Sequence, residues 1–168
     1  IVSVACASDH PAPTSQTVSD DVYLQEVGRQ VASSIPLTSI AALKDQVFAG
    51  SSQGLLLLEG DQLVPVGEVA EPIRRLVTTD DSLWAITSHG LYRYQATWTK
   101  ISDDQFTDLT EHLGQIVVSS ARRLWQVEGD SLQPLADVDS PFPIERVVSH
   151  CETIYVQGQG RLTYYDGE

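Results

Sequence analysis

Methionine is absent from this 168-residue sequence, even at position 1, and cysteine occurs only twice. Cys6 and Cys151 do not amount to a disulfide framework. The two are expected not to be bonded to each other, and Cys151 reads as a small buried hydrophobe in a strand or turn. Basic residues are also scarce: ten Lys and Arg face twenty-three Asp and Glu, for a formal charge of −13. That balance excludes nucleic acid, whose phosphates need clustered Lys and Arg. No run approaches the eighteen apolar residues of a membrane span. The usual catalytic signatures are missing too: no Gly-x-Ser-x-Gly elbow, no His-Glu-x-x-His, no phosphate loop, no nucleotide-binding glycine fingerprint. His10, His89, His112 and His150 lie too far apart for zinc-ligand spacing and read as turn or surface residues. No metal and no cofactor is therefore expected, and no catalytic residue can be named. The carboxylates are numerous enough for folding to assemble a glycosidase pair, so an enzyme acting on polysaccharide remains one alternative.

What the chain does contain is a repeat. Gly54-Leu55-Leu56-Leu57-Leu58-Glu59-Gly60, Gly90-Leu91-Tyr92-Arg93-Tyr94-Gln95-Ala96, Arg123-Leu124-Trp125-Gln126-Val127-Glu128-Gly129 and Arg161-Leu162-Thr163-Tyr164-Tyr165-Asp166-Gly167 align without gaps. Their leading leucines are spaced by 36 (55 to 91), 33 (91 to 124) and 38 (124 to 162) residues. Repeats of this length mean a solenoid, a propeller or an array. Short β-rich runs parted by turn residues select the propeller, since helical repeats would show a 3.6-residue period inside each unit. The clearest unit is Leu83-Trp84-Ala85-Ile86-Thr87, a Ser88-His89-Gly90 turn, and Leu91-Tyr92-Arg93-Tyr94. With 42% hydrophobic residues the chain has enough material for a core, and at this length about 70% of the unfolded surface can be buried.

The expected fold is an all-β propeller of about four blades, each of four antiparallel strands a to d counted outward from the axis. The first blade spans Ile40 to Leu43, Gln46 to Ala49, Leu55 to Leu58 and Leu63 to Val66. The second spans Ile73 to Val77, Leu83 to Thr87, Leu91 to Tyr94 and Trp98 to Ile101. The third spans Phe106 to Leu109, Gln115 to Val118, Leu124 to Val127 and Leu132 to Leu135. The fourth holds Ile144 to Val148, Thr153 to Val156 and Leu162 to Tyr165, and lacks its outer strand. Pro65 and Pro134 suit d strands, because a residue without an N–H belongs at a sheet edge. In this register Phe48, Trp84 and Tyr155 occupy matching b-strand positions and are expected to pack between blades. Leu24-Gln25-Glu26-Val27 resembles the d strands. It either completes the last blade and closes a four-bladed ring, or the sequence is a piece of a larger propeller. The missing methionine and the truncated leader favour the second.

That leader is Ile1-Val2-Ser3-Val4-Ala5-Cys6, small and apolar like the end of a signal peptide. Ala5-Cys6 resembles a bacterial lipobox, with Cys6 as the lipidated residue and Ser3 departing from the usual aliphatic position. Residues 1–20 are thus a leader remnant and flexible tether, and 21–168 the propeller. The expected location is extracytoplasmic, anchored or secreted, with membrane contact only through Cys6.

Leu83-Trp84-Ala85-Ile86-Thr87-Ser88-His89-Gly90-Leu91-Tyr92-Arg93-Tyr94, preceded by Asp80-Asp81, resembles the two-component-regulator propeller repeat. Phe48-Ala49-Gly50 with Gly54-Leu55 keeps part of that pattern, and Ile154-Tyr155 with Gly160 and Leu162 keeps less. The resemblance implies an extracytoplasmic sensor-like propeller, of a kind often read as binding carbohydrate.

Topology says where a ligand would meet it. In an up-and-down blade the b–c turns and d–a connections share one face, which here carries Gln53, His89, Arg122 and Gln159. Arg75 and Arg146 occupy equivalent inner-strand positions with Asp108, either lining the axial channel or forming ion pairs between blades. These six polar residues form the candidate ligand site. Its candidate partners are a glycan or small polar ligand, or a protein of the cell envelope.

Overall fold

The computed structural model describes residues 30–67 and 71–166. The Cys6 leader, the tether and the Leu24 to Val27 segment lie outside the described residues. Fifteen strands, and no helix among the described residues, make four separate sheets. Sheet 1 contains β1 (Leu37–Leu43), β2 (Gln46–Ser51), β3 (Gly54–Glu59) and β4 (Gln62–Pro65). Sheet 2 contains β5 (Ile73–Thr78), β6 (Leu83–Thr87), β7 (Gly90–Tyr94) and β8 (Trp98–Ser102). Sheet 3 contains β9 (Asp108–His112), β10 (Gln115–Ser120), β11 (Arg123–Glu128) and β12 (Ser131–Asp139). Sheet 4 contains β13 (Arg146–His150), β14 (Thr153–Gly158) and β15 (Arg161–Tyr165). Every pairing is antiparallel and joins strands consecutive in sequence. These are the expected blades, with the fourth one strand short.

Hairpin chemistry explains the close repeat. Ala121 and Gln159, each the first residue of a two-residue turn, hold φ of 49° and 51°, as the right-handed twist of the flanking strands requires. Gly90 holds φ of 137°, and a Cβ there would lie 1.9 Å from the Ser102 carbonyl oxygen. Only glycine lets β7 and the end of β8 approach so closely. Pro65 and Pro134 both fall on outer edge strands, as their missing N–H demands.

The core lies in three seams between sheets. Phe48, Leu55, Ile73, Leu76, Leu83 and Ala85 fill the first. Trp84, Ile86, Leu91, Phe106, Leu109, Ile116 and Val118 fill the second. Val117, Leu124, Phe142, Ile144, Val147, Ile154 and Val156 fill the third. Alternation along the b strands of sheets 2 and 3 thus sends odd and even residues to different seams, so these central sheets are apolar on both faces. Phe48 and Trp84 are buried at matching positions. Tyr155 shares the register but departs from the expectation of inter-blade packing. It is half-buried on the far face of sheet 4, against the ring of Tyr164.

Three further expectations are corrected. The third and fourth inner strands begin two residues later than their apolar runs. Phe106 and Ile144 are buried plugs ahead of the ladder, where Thr107 donates its N–H to the Ser119 carbonyl and Ile144 to the Ala121 carbonyl. Cys151 is an exposed turn residue with φ of 51°, not a buried one. His112 is half-buried rather than superficial, its Nδ1 2.8 Å from the Ser149 hydroxyl across the third seam. As for ring closure, β1 packs on β5, β5 on β9 and β9 on β13, while no comparable packing joins β13 to β1. The described residues form an open arc.

Candidate functional site

The face bearing the b–c turns is built by carboxylates that arrive from the d–a connections. Glu71, just before β5, accepts a hydrogen bond of 2.8 Å from the Thr87 hydroxyl and one of 3.3 Å from the Tyr92 phenol. The same carboxylate stands 3.4 Å from His89 Nδ1. Glu145, just before β13, accepts from the Gln157 side-chain amide at 3.3 Å and from the Gln159 backbone N–H at 3.2 Å. Each connection is thus stapled to the b–c turn of the sheet it enters, which confirms that both features share one face.

On that rim Gln53, His89, Arg122 and Gln159 are all exposed. Their turns are held from below. The Ser51 hydroxyl accepts the Gln53 N–H at 3.1 Å, and the Thr87 hydroxyl accepts the His89 N–H at 3.0 Å. The Arg122 carbonyl accepts the Ser140 N–H at 2.8 Å. Four polar side chains therefore project from fixed backbones, one per sheet. His89 Nδ1 also lies 3.0 Å from the Ser88 hydroxyl.

Toward the axis the structure brings Arg75, Asp108 and Arg146 together, and it does so as ion pairs between sheets. Asp108 is 1% exposed, with Arg75 Nε 3.3 Å and Arg146 Nη1 4.0 Å from its Oδ1. The Arg75 contact lacks hydrogen-bond geometry, leaving a coulombic attraction. Asp108 Oδ2 meanwhile accepts the Val147 N–H at 3.0 Å. Ser39, at the equivalent position of sheet 1, accepts the Leu76 N–H at 3.0 Å in the same way. An acceptor on one inner strand thus captures a backbone donor of the next. Asp108 is committed to the third seam, while both arginine side chains keep exposed surface, 39% for Arg75 and 61% for Arg146.

The opposite face holds two hollows. A cavity of about 660 Å³ is lined by Thr78, Thr79, Asp80, Asp81, Glu111 and Gly114. A second of about 390 Å³ runs along the seam between sheets 2 and 3, past Trp84, Arg93, Gln95 and Glu128. Arg93 lies over the Trp84 ring, 5.6 Å from its centroid, and pairs with Asp130 at 2.7 Å. None of the six candidate residues lines either cavity. Glu71 and Glu145 were not foreseen. They stand at different offsets from Arg75 and Arg146, so repeat alignment gives them no signal. No group of three metal-ligating side chains occurs among the described residues.

No protein-family model and no curated protein sequence matches the chain. Solved structures do. The computationally designed Ika4 protein is 13% identical with a TM-score of 0.64, over 82% of this chain and 98% of its own. The extracellular domain of BT4673 from B. thetaiotaomicron is 16% identical with a TM-score of 0.63, over 76% of this chain and 21% of its own. BamB from Moraxella catarrhalis is 12% identical with a TM-score of 0.59, over 77% of this chain and 46% of its own. The chain is a β-propeller arc of four blades. It spans nearly all of Ika4, under half of BamB and about a fifth of the BT4673 domain. BT4673 is described as a one-component or hybrid two-component system, in line with the resemblance of the Leu83 to Tyr94 unit to two-component-regulator propellers.

Proposed function

We propose that this arc is an extracytoplasmic binding and sensing module, taking a hydroxyl-rich polar ligand such as a glycan on the face of the b–c turns. The observation that carries the reading is the rim itself. Gln53, His89, Arg122 and Gln159 project from four consecutive sheets, each exposed, on backbones anchored by hydrogen bonds. Such a set offers donors and acceptors to hydroxyl groups without demanding their full desolvation. Arg75 and Arg146 extend it toward the axis. The likeness to the extracellular domain of BT4673 supports an extracytoplasmic sensing role. A second reading, a scaffold for proteins of the cell envelope, is favoured by the exposed Val148, Leu162 and Tyr164 of sheet 4 and by the likeness to BamB. Lipidation at Cys6 would hold either form at a membrane surface.

The test is a glycan array followed by paired alanine scans. Substitution of His89, Arg122 and Gln159 should each weaken binding several-fold at unchanged melting temperature. Substitution of His112 and His150 on the other face should leave binding alone. If only the second pair, or Trp84→Phe and Arg93→Ala in the cavity between sheets 2 and 3, lost binding, the face assignment would be wrong. An array without hits, with envelope proteins retained by the same chain, would favour the scaffold.

A further inference from the structure

One inner-strand position repeats with alternating chemistry. Ser39, Arg75, Asp108 and Arg146 pair across the ladder with Gly50, Ile86, Ser119 and Gln157, the b-strand residues that lie opposite Leu55, Leu91, Leu124 and Leu162. They are the same residue of four consecutive sheets, in the order acceptor, donor, acceptor, donor. Both acceptors are engaged by the next sheet: Ser39 takes the Leu76 N–H and Asp108 the Val147 N–H, each at 3.0 Å. Leu109 is the corresponding residue of sheet 3, and there Arg75 stands in the acceptor's place. A guanidinium has no lone pair to offer, and among the described residues nothing on the preceding sheet takes the Leu109 N–H. The arginines are equally unsatisfied. Among the described residues neither guanidinium donates a hydrogen bond: Arg75 Nε is buried without a partner, and Arg146 Nη1 stops 4.0 Å from Asp108 Oδ1. Two cations around one carboxylate leave an excess of positive charge and of donors in a chain that is otherwise acidic.

We infer that Arg75 and Arg146 form a site for a carboxylate, so that the hydroxyl-rich ligand of the rim is a sugar acid. The sugar part rests on the rim reading above; the acid part rests on the arginines alone. Buried Asp108 gathers both side chains around one oxygen, which fixes them in place without using up their donors. A carboxylate is planar and accepts two parallel N–H bonds from a guanidinium fork, a geometry suited to arginine. Its single negative charge cancels the local excess, whereas a doubly charged phosphate would overshoot it in a chain of formal charge −13. Both arginines stand near the rim end of their strands, Arg146 opening β13 and Arg75 following closely on Ile73, the first residue of β5. The neighbouring carboxylates are already engaged, Glu71 by Thr87 and Tyr92, and Glu145 by Gln157 and Gln159.

Titration of the full chain with sodium glucuronate, glucose and sodium acetate tests it, at low ionic strength because exposed charges are screened by salt. Glucuronate should bind about tenfold tighter than glucose, or better. Arg146→Gln and Arg75→Gln should each abolish that advantage. Lys44→Gln, which removes the same charge from the exposed a–b turn of sheet 1 on the opposite face, should keep it. Arg146 is largely exposed, so its variant should retain the sheet signal in circular dichroism. Arg75→Lys keeps the charge without the fork; it replaces Arg75→Gln if that variant unfolds, and should lose the advantage in part. Glucose bound as tightly as glucuronate overturns the carboxylate site and leaves the rim reading standing. Equal losses in Arg146→Gln and Lys44→Gln would reduce the effect to overall charge and overturn it as well, as would a chain that binds neither acid. Acetate bound as tightly as glucuronate would uphold the site with a free acid as its source, and would refute the rim reading instead.

Discussion

The repeated leucine allows a substitution to be made twice in one molecule, once in a sealed seam and once on an open face. Leu91→Ala removes three carbons from a side chain with no exposed surface. At about 0.8 kcal/mol for each carbon, the transfer loss alone is about 2.4 kcal/mol. Leu91 lies among Trp84, Ile86, Phe106 and Leu109, whose branched and aromatic shapes cannot collapse far into the gap. The cavity left behind therefore adds to the loss, for a total of about 3–4 kcal/mol, inside the usual Leu→Ala range of about 2–5 kcal/mol. Leu162→Ala removes the same atoms at the same register, but about two thirds of that surface is already in water. Scaling the transfer term by the buried third gives about 0.8 kcal/mol, with no cavity. Urea unfolding followed by tryptophan fluorescence reads both, at the lowest concentration that gives signal so that association does not enter. Equal losses for the two variants would mean that something covers sheet 4 within a single chain. A loss below about 1 kcal/mol for Leu91→Ala would mean that the second seam is not packed as described.

Other substitutions probe the seams and turns. Asp108→Ala strands the Val147 N–H and leaves Arg75 and Arg146 without their shared partner. Because both arginines keep exposed surface, the loss is mainly that of the stranded N–H, about 1–3 kcal/mol in thermal or urea unfolding, with Asp108→Asn losing less because it keeps an acceptor. Gly90→Ala and Gly158→Ala would set a Cβ 1.9 Å from the carbonyl oxygens of Ser102 and Pro143. Both should lower the melting temperature far more than Gly60→Ala, where no atom lies within 4 Å and only the strain of φ 61°, about 1–2 kcal/mol, remains.

The sequence made the architecture legible because each blade repeats its chemistry locally. Leucines at 55, 91, 124 and 162 marked the third strand of every sheet, and the prolines at 65 and 134 marked outer edges. What misled was burial without pairing. Phe106 and Ile144 looked like the starts of inner strands because they are apolar, yet they plug the seams while the ladders begin at Asp108 and Arg146. Asp108, the one fully buried carboxylate described, stood in the sequence as one acid among many. Its role depends on the Val147 N–H, 39 residues away, and backbone donors leave no trace in residue identity. The faces of the blades followed from strand alternation alone. The staples that fix them, Glu71 and Glu145, did not, since each sits in a connection of different length.

Because every ladder joins neighbours in sequence, each sheet can complete its hydrogen bonding within some thirty residues of emerging chain. Only the seams reach further, and they reach by one repeat: the bonds from Leu76 to Ser39, Val147 to Asp108 and Arg93 to Asp130 span 37, 39 and 37 residues. Contact order therefore stays near one blade length however many blades are added, and assembly can proceed vectorially, each new sheet docking on the one before it. Such a chain suits passage through a membrane pore as an unfolded thread, since what arrives first needs nothing from what arrives last.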